Sequence, residues 1–381
     1  VIVDELRIVG STQTNVVMAA ELVRVARRAL AKRPPEPRKE GLGQLVYPFD
    51  RDLAWAAVTY LRTPTRVLWD VYRSRAERLE PLYDELVADV RADSRTLWRE
   101  GDGISVEARR VDDFAAGDRQ IVGTVKNALI DGAPVRLHVD PEWPATRWVA
   151  RMDDAGELVV SIDLGGGSLS RRGWRRDAGE APLREHLAAV LLMLVRFDPR
   201  TDILVDPMCG SGTIPIEAVH AARAMPRDAP GLVALGLARE AKPLFADATP
   251  LAIGCDLDLE VLAIARDNGR AAKAEVTWQR ADVTTLSPHT IEQIARERGH
   301  AGTTGVLLTN PPYGERLDEA DLADLYAALA ETCRRFPRWR AGFLVGNPLF
   351  EEIFVPRIGR PRIKKPLANA NLRAYFYLWD L

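Results

Sequence analysis

Asn310-Pro311-Pro312-Tyr313 is the stretch of this chain whose residue types point most directly to chemistry. Two consecutive prolines fix φ and remove N–H donors, so the carbonyls around them stand out as acceptors that no neighbouring strand competes for. An exocyclic amine presents two protons. The Asn310 side-chain oxygen and the Pro311 carbonyl can hold both, which orients the nitrogen lone pair toward a reaction partner, mainly a positioning effect. Tyr313 offers a ring on which a base turned out of its helix can stack. A neutral amide is a poor general base, so no proton abstraction is assigned to Asn310. Taken alone, the same four residues also describe a tight loop with a buried tyrosine.

A second constellation lies upstream. Asp206-Pro207-Met208-Cys209-Gly210-Ser211-Gly212-Thr213 follows the apolar run 203–205 and precedes residues with helical spacing. It reads as a strand running into a glycine turn and then a helix, with Pro215 tolerated in the first turn. Gly210 and Gly212 would let the backbone pass close to a ligand. Asp256 and Asp282 close two further strands, read at 250–255 and 276–280. A single such aspartate is usually a helix cap or a solvated carboxylate. Three placed after successive strands suit a ligand with a ribose, an exocyclic amine and a cationic centre. The third glycine of GxGxxG is missing and no P-loop lysine follows, which disfavours a nicotinamide or nucleotide-phosphate site.

These residues need strands and helices to hold them. Strands are read at 203–205, 250–255, 276–280, 306–308 and 342–346, with a final hairpin near 362–367 and 374–379; helices cover 322–336 and the segment capped by Asp258. This seven-stranded alternation means a mostly parallel sheet covered on both faces, the hairpin forming an antiparallel edge. Ahead of it, a helix starting near Pro182 turns Leu183, Leu187, Val190, Leu191 and Leu194 inward, and His186 reads as a surface or packing residue. The N-terminal half mixes short elements: strands at 44–49, 66–71, 104–109, 148–152 and 158–164, an alternating segment at 135–139, and helices at 15–31, 52–61, 81–91 and 119–130. Residues 32–40 read as a linker by composition.

The turn at Asp206–Thr213 together with Thr309-Asn310-Pro311-Pro312-Tyr313-Gly314-Glu315-Arg316 resembles the amino-methylating class of S-adenosylmethionine-dependent methyltransferases. More specifically, the chain is similar to the guanine-N2 RNA methyltransferases that carry a THUMP domain. The helix at 119–130 with Lys126, Val139-Asp140-Pro141, the strand at 160–164 and Gly167-Ser168-Leu169-Ser170-Arg171-Arg172-Gly173-Trp174-Arg175-Arg176 extend the likeness, as does Arg227-Asp228-Ala229-Pro230-Gly231-Leu232. It covers roughly residues 43–381, and residues 1–40 depart from it.

The resemblance implies an α/β architecture: a Rossmann-like seven-stranded methyltransferase domain preceded by an α+β, THUMP-containing RNA-binding region. The expected parts are 1–40 without assignment, a ferredoxin-like part at 41–79, a THUMP domain at 80–166, a linker at 167–180 and the methyltransferase domain at 181–381. S-adenosyl-L-methionine is the implied cofactor. The backbone from Met208 through Cys209, Gly210 and Ser211 to Gly212 would wrap its methionine portion, flanked by Pro207 and Thr213, with Asp206 facing the ammonium. Asp256, followed by Leu257, would take the ribose hydroxyls; Asp282 would accept from the adenine amine and the Val283 N–H would donate to a ring nitrogen. Asn310, Pro311, Pro312 and Tyr313 are the implied catalytic residues.

The implied partner is RNA. Lys126, Arg171, Arg172, Arg175, Arg176 and Arg316 are candidate phosphate contacts, with Trp174 as a stacking surface. The competing reading of the arginine-rich loop is a solvated segment in which Trp174 plugs a domain interface. Asn-Pro-Pro-Tyr-Gly-Glu-Arg-Leu favours 23S ribosomal RNA over tRNA by family analogy alone. The four-residue motif also serves methylation of DNA adenine-N6 and cytosine-N4, against which a THUMP-like region argues. A non-catalytic RNA-binding assembly factor that keeps the cofactor fold is the alternative of another class. The residues left after the sheet give no room for a second methyltransferase domain, so one reaction is expected.

Composition sets outer bounds. With 381 residues two or three domains are expected. A hydrophobic content of 47% and a charged content of 28% are those of a soluble globular chain, and a net charge of −2 does not advertise a nucleic-acid binder. No apolar run approaches the ~18 residues of a membrane span. The start lacks a basic segment followed by an apolar one, so secretion is not indicated. Three scattered cysteines and five histidines show neither disulfide nor metal-ligand spacing. A cytoplasmic enzyme without metal is the expectation; an oligomeric state is not specified.

Overall fold

In the computed structural model, which describes residues 1–175, 183–302, 304–312, 318–369 and 372–381, the chain divides into two units. The first comprises Val1–Gly10, Thr14–Leu169 and Pro226–Lys242; the second comprises Ser11–Gln13, Ser170–Met225 and Pro243–Leu381.

The first unit runs β1 (Ile2–Val9), α1 (Asn15–Leu30), β2 (Arg38–Glu40), β3 (Gln44–Pro48), α2 (Arg51–Tyr60), β4 (Arg66–Ser74), α3 (Leu79–Ala92), β5 (Gly103–Arg109), α4 (Asp118–Gly132), β6 (His138–Val139), β7 (Thr146–Met152) and β8 (Leu158–Asp163). All eight strands join one sheet in the order β2-β3-β1-β4-β8-β7-β5-β6. Residues 1–40 are therefore part of this sheet: β1 pairs antiparallel with both β3 and β4. The end of the segment read as a linker is the edge strand β2, and only His138–Val139 of the alternating segment 135–139 pairs. Apolar residues of α1 to α4 such as Leu22, Leu53, Leu86 and Ile121 are fully buried, or nearly so, and Trp148 stacks between Tyr72 and Trp98. Asp50 caps α2 by accepting from the Leu53 N–H at 2.7 Å, which satisfies one of the helix's orphan donors.

Charge is buried in the same sheet. Asp70 on β4 accepts from Arg7 Nε at 2.8 Å, Arg151 Nη2 at 2.9 Å and Ser161 Oγ at 2.6 Å, and Arg7 also reaches Glu40 and Gln44. One carboxylate thus joins strands β1, β4, β7 and β8. Burial pulls the Arg151 guanidinium below its ordinary pKa, against the attraction of Asp70.

The second unit begins with α5 (Glu185–Leu194), β9 (Asp202–Asp206) and α6 (Thr213–Arg223). The chain then leaves it: α7 (Pro230–Ala234) lies in the segment that belongs to the first unit. The sequence pattern put this segment inside the methyltransferase half. It departs because Arg227 donates its backbone N–H to Thr59 and its guanidinium to the carbonyls of Leu61 and Leu169, and because Gly231 lies so close to the Asp163 carbonyl that a Cβ there would sit 2.4 Å from the oxygen. The second unit resumes with β10 (Leu251–Asp256), α8 (Leu259–Ala271), β11 (Thr277–Arg280), α9 (Pro288–Glu297), β12 (Thr304–Thr309), α10 (Glu319–Arg334), β13 (Arg340–Val345), α11 (Leu349–Ile358), β14 (Ile363–Asn369) and β15 (Leu372–Asp380).

Its seven strands order as β11-β10-β9-β12-β13-β15-β14, with β9 to β13 parallel and the terminal hairpin antiparallel. Ile203, Val205, Ile253, Leu307 and Phe343 pack on one face against Ile291, Tyr326, Leu329, Phe350 and Phe354 of α9, α10 and α11. Helices α5, α6 and α8 lie on the other. The chain order reverses between β9 and β12, so a crevice opens beyond their carboxyl ends, the usual ligand site of such sheets. Asp206 and Asn310 stand at those two ends. Among the described residues no helix is long and apolar enough to cross a membrane.

Candidate active site

The turn after β9 is fixed from below and from the side. Cys209 N–H donates to the Cys255 carbonyl at 2.7 Å, Gly210 N–H to Asp256 Oδ2 at 3.0 Å, and the fully buried Asn268 donates its side-chain amide to the Ser211 carbonyl at 3.1 Å. Gly210 and Gly212 have φ of 52° and 86°, a region costly for other residues. Their surroundings differ. A Cβ on Gly210 meets nothing within 4 Å, whereas one on Gly212 would lie 2.6 Å from the Trp278 ring, which also fills the space beside Gly254. Only Gly210 faces open space; Gly212 is required by Trp278 and not by a ligand. This corrects the expectation that both glycines admit one. Pro207, Cys209 and Thr213 are buried, so the turn presents chiefly backbone, with Met208 and Ser211 half-buried.

The carboxylates at the strand ends differ in state. Burial pushes Asp206 up to about 7; hydrogen bonds from Thr309 and the Met208 N–H oppose this, and Asp256 adds repulsion. An inward carboxylate of this kind gains from a cationic ligand group. Asp256 stays half-buried and accepts from Gly210 and Asp258 N–H groups, each through a different oxygen. The next residue, Leu257, is 57% exposed, an apolar surface at the strand end that a ring system would cover. Asp282 Oδ1 accepts from the Thr284 hydroxyl and N–H, which hold the carboxyl below its usual pKa. Val283 is buried, and its carbonyl accepts from Thr332 of α10 at 2.8 Å, which sets the direction of the backbone there.

Across the crevice, Thr309 Oγ1 hydrogen-bonds the Asp206 carboxylate and lies 3.5 Å from the Met208 carbonyl, so β12 is tied to the turn one residue before Asn310. Asn310 is half-buried, Pro311 buried and Pro312 exposed. Tyr326 of α10 donates its hydroxyl to the Pro312 carbonyl at 2.8 Å. Tyr313 and Arg316 lie outside the described residues. His186 is no candidate base: burial, reinforced by Arg172 and Arg184, pushes it down to about 3, and its Nε2 lies 2.9 Å from Ser11 Oγ. Among the described residues no cluster of His, Cys, Asp and Glu could hold a metal ion.

The candidate RNA contacts separate. Arg171 is exposed and Lys126 half-exposed on α4. Trp174 is 4% exposed, packed on Ile216 and Ala272, so no base can stack on it. Arg172 is paired with Glu217 at 3.2 Å with 4% of its side chain exposed, and Arg175 with Glu185 at 3.0 Å with 14% exposed. The three are interior residues of the second unit, which corrects the expectation of phosphate and base contacts. Arg176 lies outside the described residues. Residues that local pattern does not single out include Trp278, Asn268 and Tyr326; Thr309, next to Asn310, belongs to the motif but has no role in the sequence reading.

Sheet order, the glycine turn at the switch point and the proline loop on the neighbouring strand define a Rossmann-like methyltransferase domain. The RMKL-like methyltransferase domain family matches residues 172–366, and the chain belongs to that family. It is 32% identical over 330 residues to the ribosomal RNA large subunit methyltransferase K/L of Syntrophotalea carbinolica, covering 78% of this chain and 44% of that protein. The chain thus spans less than half the length of that curated relative. A protein of Listeria monocytogenes described as a predicted N6-adenine-specific DNA methylase superposes with a TM-score of 0.76 at 25% identity, over 99% of this chain and 96% of its own. SMU.472, crystallised in complex with SAH, superposes with a TM-score of 0.76 at 24% identity, over 100% of this chain and 98% of its own.

Proposed function

We propose that this chain transfers a methyl group from S-adenosyl-L-methionine to the exocyclic N2 of a guanosine in 23S ribosomal RNA. The observation that carries the reading is the placement of the Asn310-Pro311 loop beside the Met208–Gly212 turn, joined through Thr309 and Asp206 at the reversal of strand order. The open side of Gly210, the exposed Leu257 and the buried Asp206 fit a cofactor with a cationic methionine portion and an aromatic base. Bound there, the cofactor supplies an electrophilic methyl carbon, whose bond to sulfur breaks as the amine nitrogen attacks.

The chain's own part is positioning. Asn310 Oδ1 and the Pro311 carbonyl accept the two amine protons and aim the lone pair, while the Tyr326 bond keeps the Pro312 carbonyl out of that role. The proton leaves after transfer, to water or a nearby acceptor. The first unit, with a THUMP domain at 80–166, docks the RNA. The large-subunit substrate follows the names of the curated relatives.

The test is tritium transfer from labelled cofactor to purified 23S ribosomal RNA, tRNA and DNA, with nucleoside analysis and SAH binding measured in parallel. Label in N2-methylguanosine of 23S RNA, lost in Asn310→Ala while SAH still binds, is the expected result. Label in tRNA would move the substrate, and cofactor binding without transfer to any RNA would favour an assembly factor.

A further inference from the structure

Arg175 ties the cofactor turn to the starts of α5 and α6. Its Nη1 donates to Ser211 Oγ at 3.2 Å, its Nη2 to Thr213 Oγ1 and to the Leu183 carbonyl, both at 3.0 Å, and its Nε to Glu185 Oε1 at 3.0 Å. The guanidinium also lies over the Trp174 ring, 5.2 Å from its centroid, and that ring is buried against Ile216 of α6. Three residues before Arg175, Arg172 donates to Glu217 on the same helix. One planar fork therefore joins the turn, the first residue of α6 and the start of α5.

A guanidinium donates and never accepts. Because Arg175 fills an acceptor position on the Ser211 and Thr213 oxygens, both hydroxyl protons are left to donate elsewhere, that of Ser211 to an anionic ligand group at the start of α6. A nucleic-acid phosphate, in contrast, would have to displace Glu185 and two hydroxyls to reach this group. We propose that Arg175 is a positioning residue of the cofactor turn: it orients Ser211 toward the carboxylate of the cofactor's methionine portion, holds the turn through the buried Thr213 and sets cofactor affinity, without contacting RNA. The inference rests on the proposed cofactor.

The experiment is calorimetric titration of SAH, and filter binding of 23S ribosomal RNA across a salt series, for the full chain and for Arg175→Gln, Arg175→Lys and Thr213→Val. Arg175→Gln is expected to weaken SAH about tenfold, the scale of a lost charge-assisted bond, with RNA affinity and its salt slope unchanged. Arg175→Lys keeps the charge but not the fork, so it should remain impaired for SAH. Combining Arg175→Gln with Thr213→Val should cost little more than either alone, since both remove the same link. Unchanged SAH affinity in the arginine variants, full rescue by lysine, or a loss of RNA affinity with a shallower salt slope would overturn the proposal. Should Arg175→Gln lose its thermal transition, the lysine and Thr213→Val variants carry the comparison. A wild-type chain that does not bind SAH would instead sink the cofactor reading itself.

Discussion

Tyr326 and Pro312 are joined by a 2.8 Å hydrogen bond that runs from a fully buried helix residue to the backbone of the proline loop. The bond engages the Pro312 carbonyl, so on the proposed reading Asn310 Oδ1 and the Pro311 carbonyl are the acceptors left for the amine. Tyr326→Phe keeps the ring packed against Phe350 and removes only the donor. Turnover should fall about tenfold, equivalent to ~1.4 kcal/mol of lost transition-state positioning. SAH affinity should be unchanged, because the bond removed is made to the Pro312 carbonyl and not to the turn after β9. Steady-state methyl transfer with calorimetric SAH binding checks this; equal loss in both would mean that the hydroxyl supports the sheet as a whole.

Asp206 gives the site a pH dependence. Its folded pKa, about 7, lies above the ordinary 3.8, so the folded state holds the proton more tightly than the unfolded one. The associated stability is full below the ordinary value and is lost as pH rises through 7, at most ~1.4 kcal/mol per pH unit. Asp163 in the first unit, pushed up to about 6 by burial, adds a decline in the same direction. Asp206→Asn should flatten the contribution centred on the second unit, seen as a difference between pH–stability profiles. Cofactor affinity should run the other way: a cationic group favours the ionised carboxylate, so binding should strengthen about tenfold from about pH 6 to a plateau above 7, and the variant should lose that rise. A pH-independent wild-type affinity would show that Asp206 faces no cation.

The ends of β9, β10 and β12 were legible because each follows a short apolar run, and the two motifs lie where a switch point needs them. What the pattern could not give is burial and long-range partnership. Arginines flanking Trp174 have the same spacing whether they face phosphates or Glu185 and Glu217. Gly212 looks like a ligand-facing glycine until Trp278, distant in sequence, is seen beneath it. Helix α11 hides behind Pro356 in its interior, and β2 is three charged or polar residues at a sheet edge. Residues 226–242 carry no local sign that they belong to the first unit, since their anchors, Thr59, Leu61 and Asp163, lie far away in the chain.

Asp70 is the residue on which the first sheet's buried charge depends. Replacing it by alanine leaves Arg7 and Arg151 facing each other without their shared carboxylate, and burial already works against the Arg151 charge. Loss of one partner from such a buried group costs about 3–5 kcal/mol. Asp70→Ala should therefore lower the thermal midpoint of the first unit, while Asp70→Asn, which keeps one acceptor oxygen, should cost less. Equal midpoints for wild type and Asp70→Ala in calorimetry would mean that water already carries the charge.

On the proposed RNA-binding reading, Trp143 replaces Trp174 as an aromatic residue expected to meet RNA. It is 86% exposed between two prolines, in a turn where Asp140 Oδ1 accepts from the Glu142 and Trp143 N–H groups at 3.1 and 2.8 Å. Arg147 donates to the Glu142 carbonyl of the same turn, and Arg136 is exposed nearby in sequence. A large apolar ring held in water by a rigid turn gains from covering, and an unpaired base covers it at about 1–3 kcal/mol. Trp143→Ala should weaken 23S RNA binding about tenfold, Trp143→Phe much less, and neither should move SAH affinity. Stacking adds no phosphate contact, so the salt slope should stay as in the wild type. Unchanged RNA affinity in the alanine variant would locate the RNA surface elsewhere, with Lys126 and Arg171 the next residues to replace.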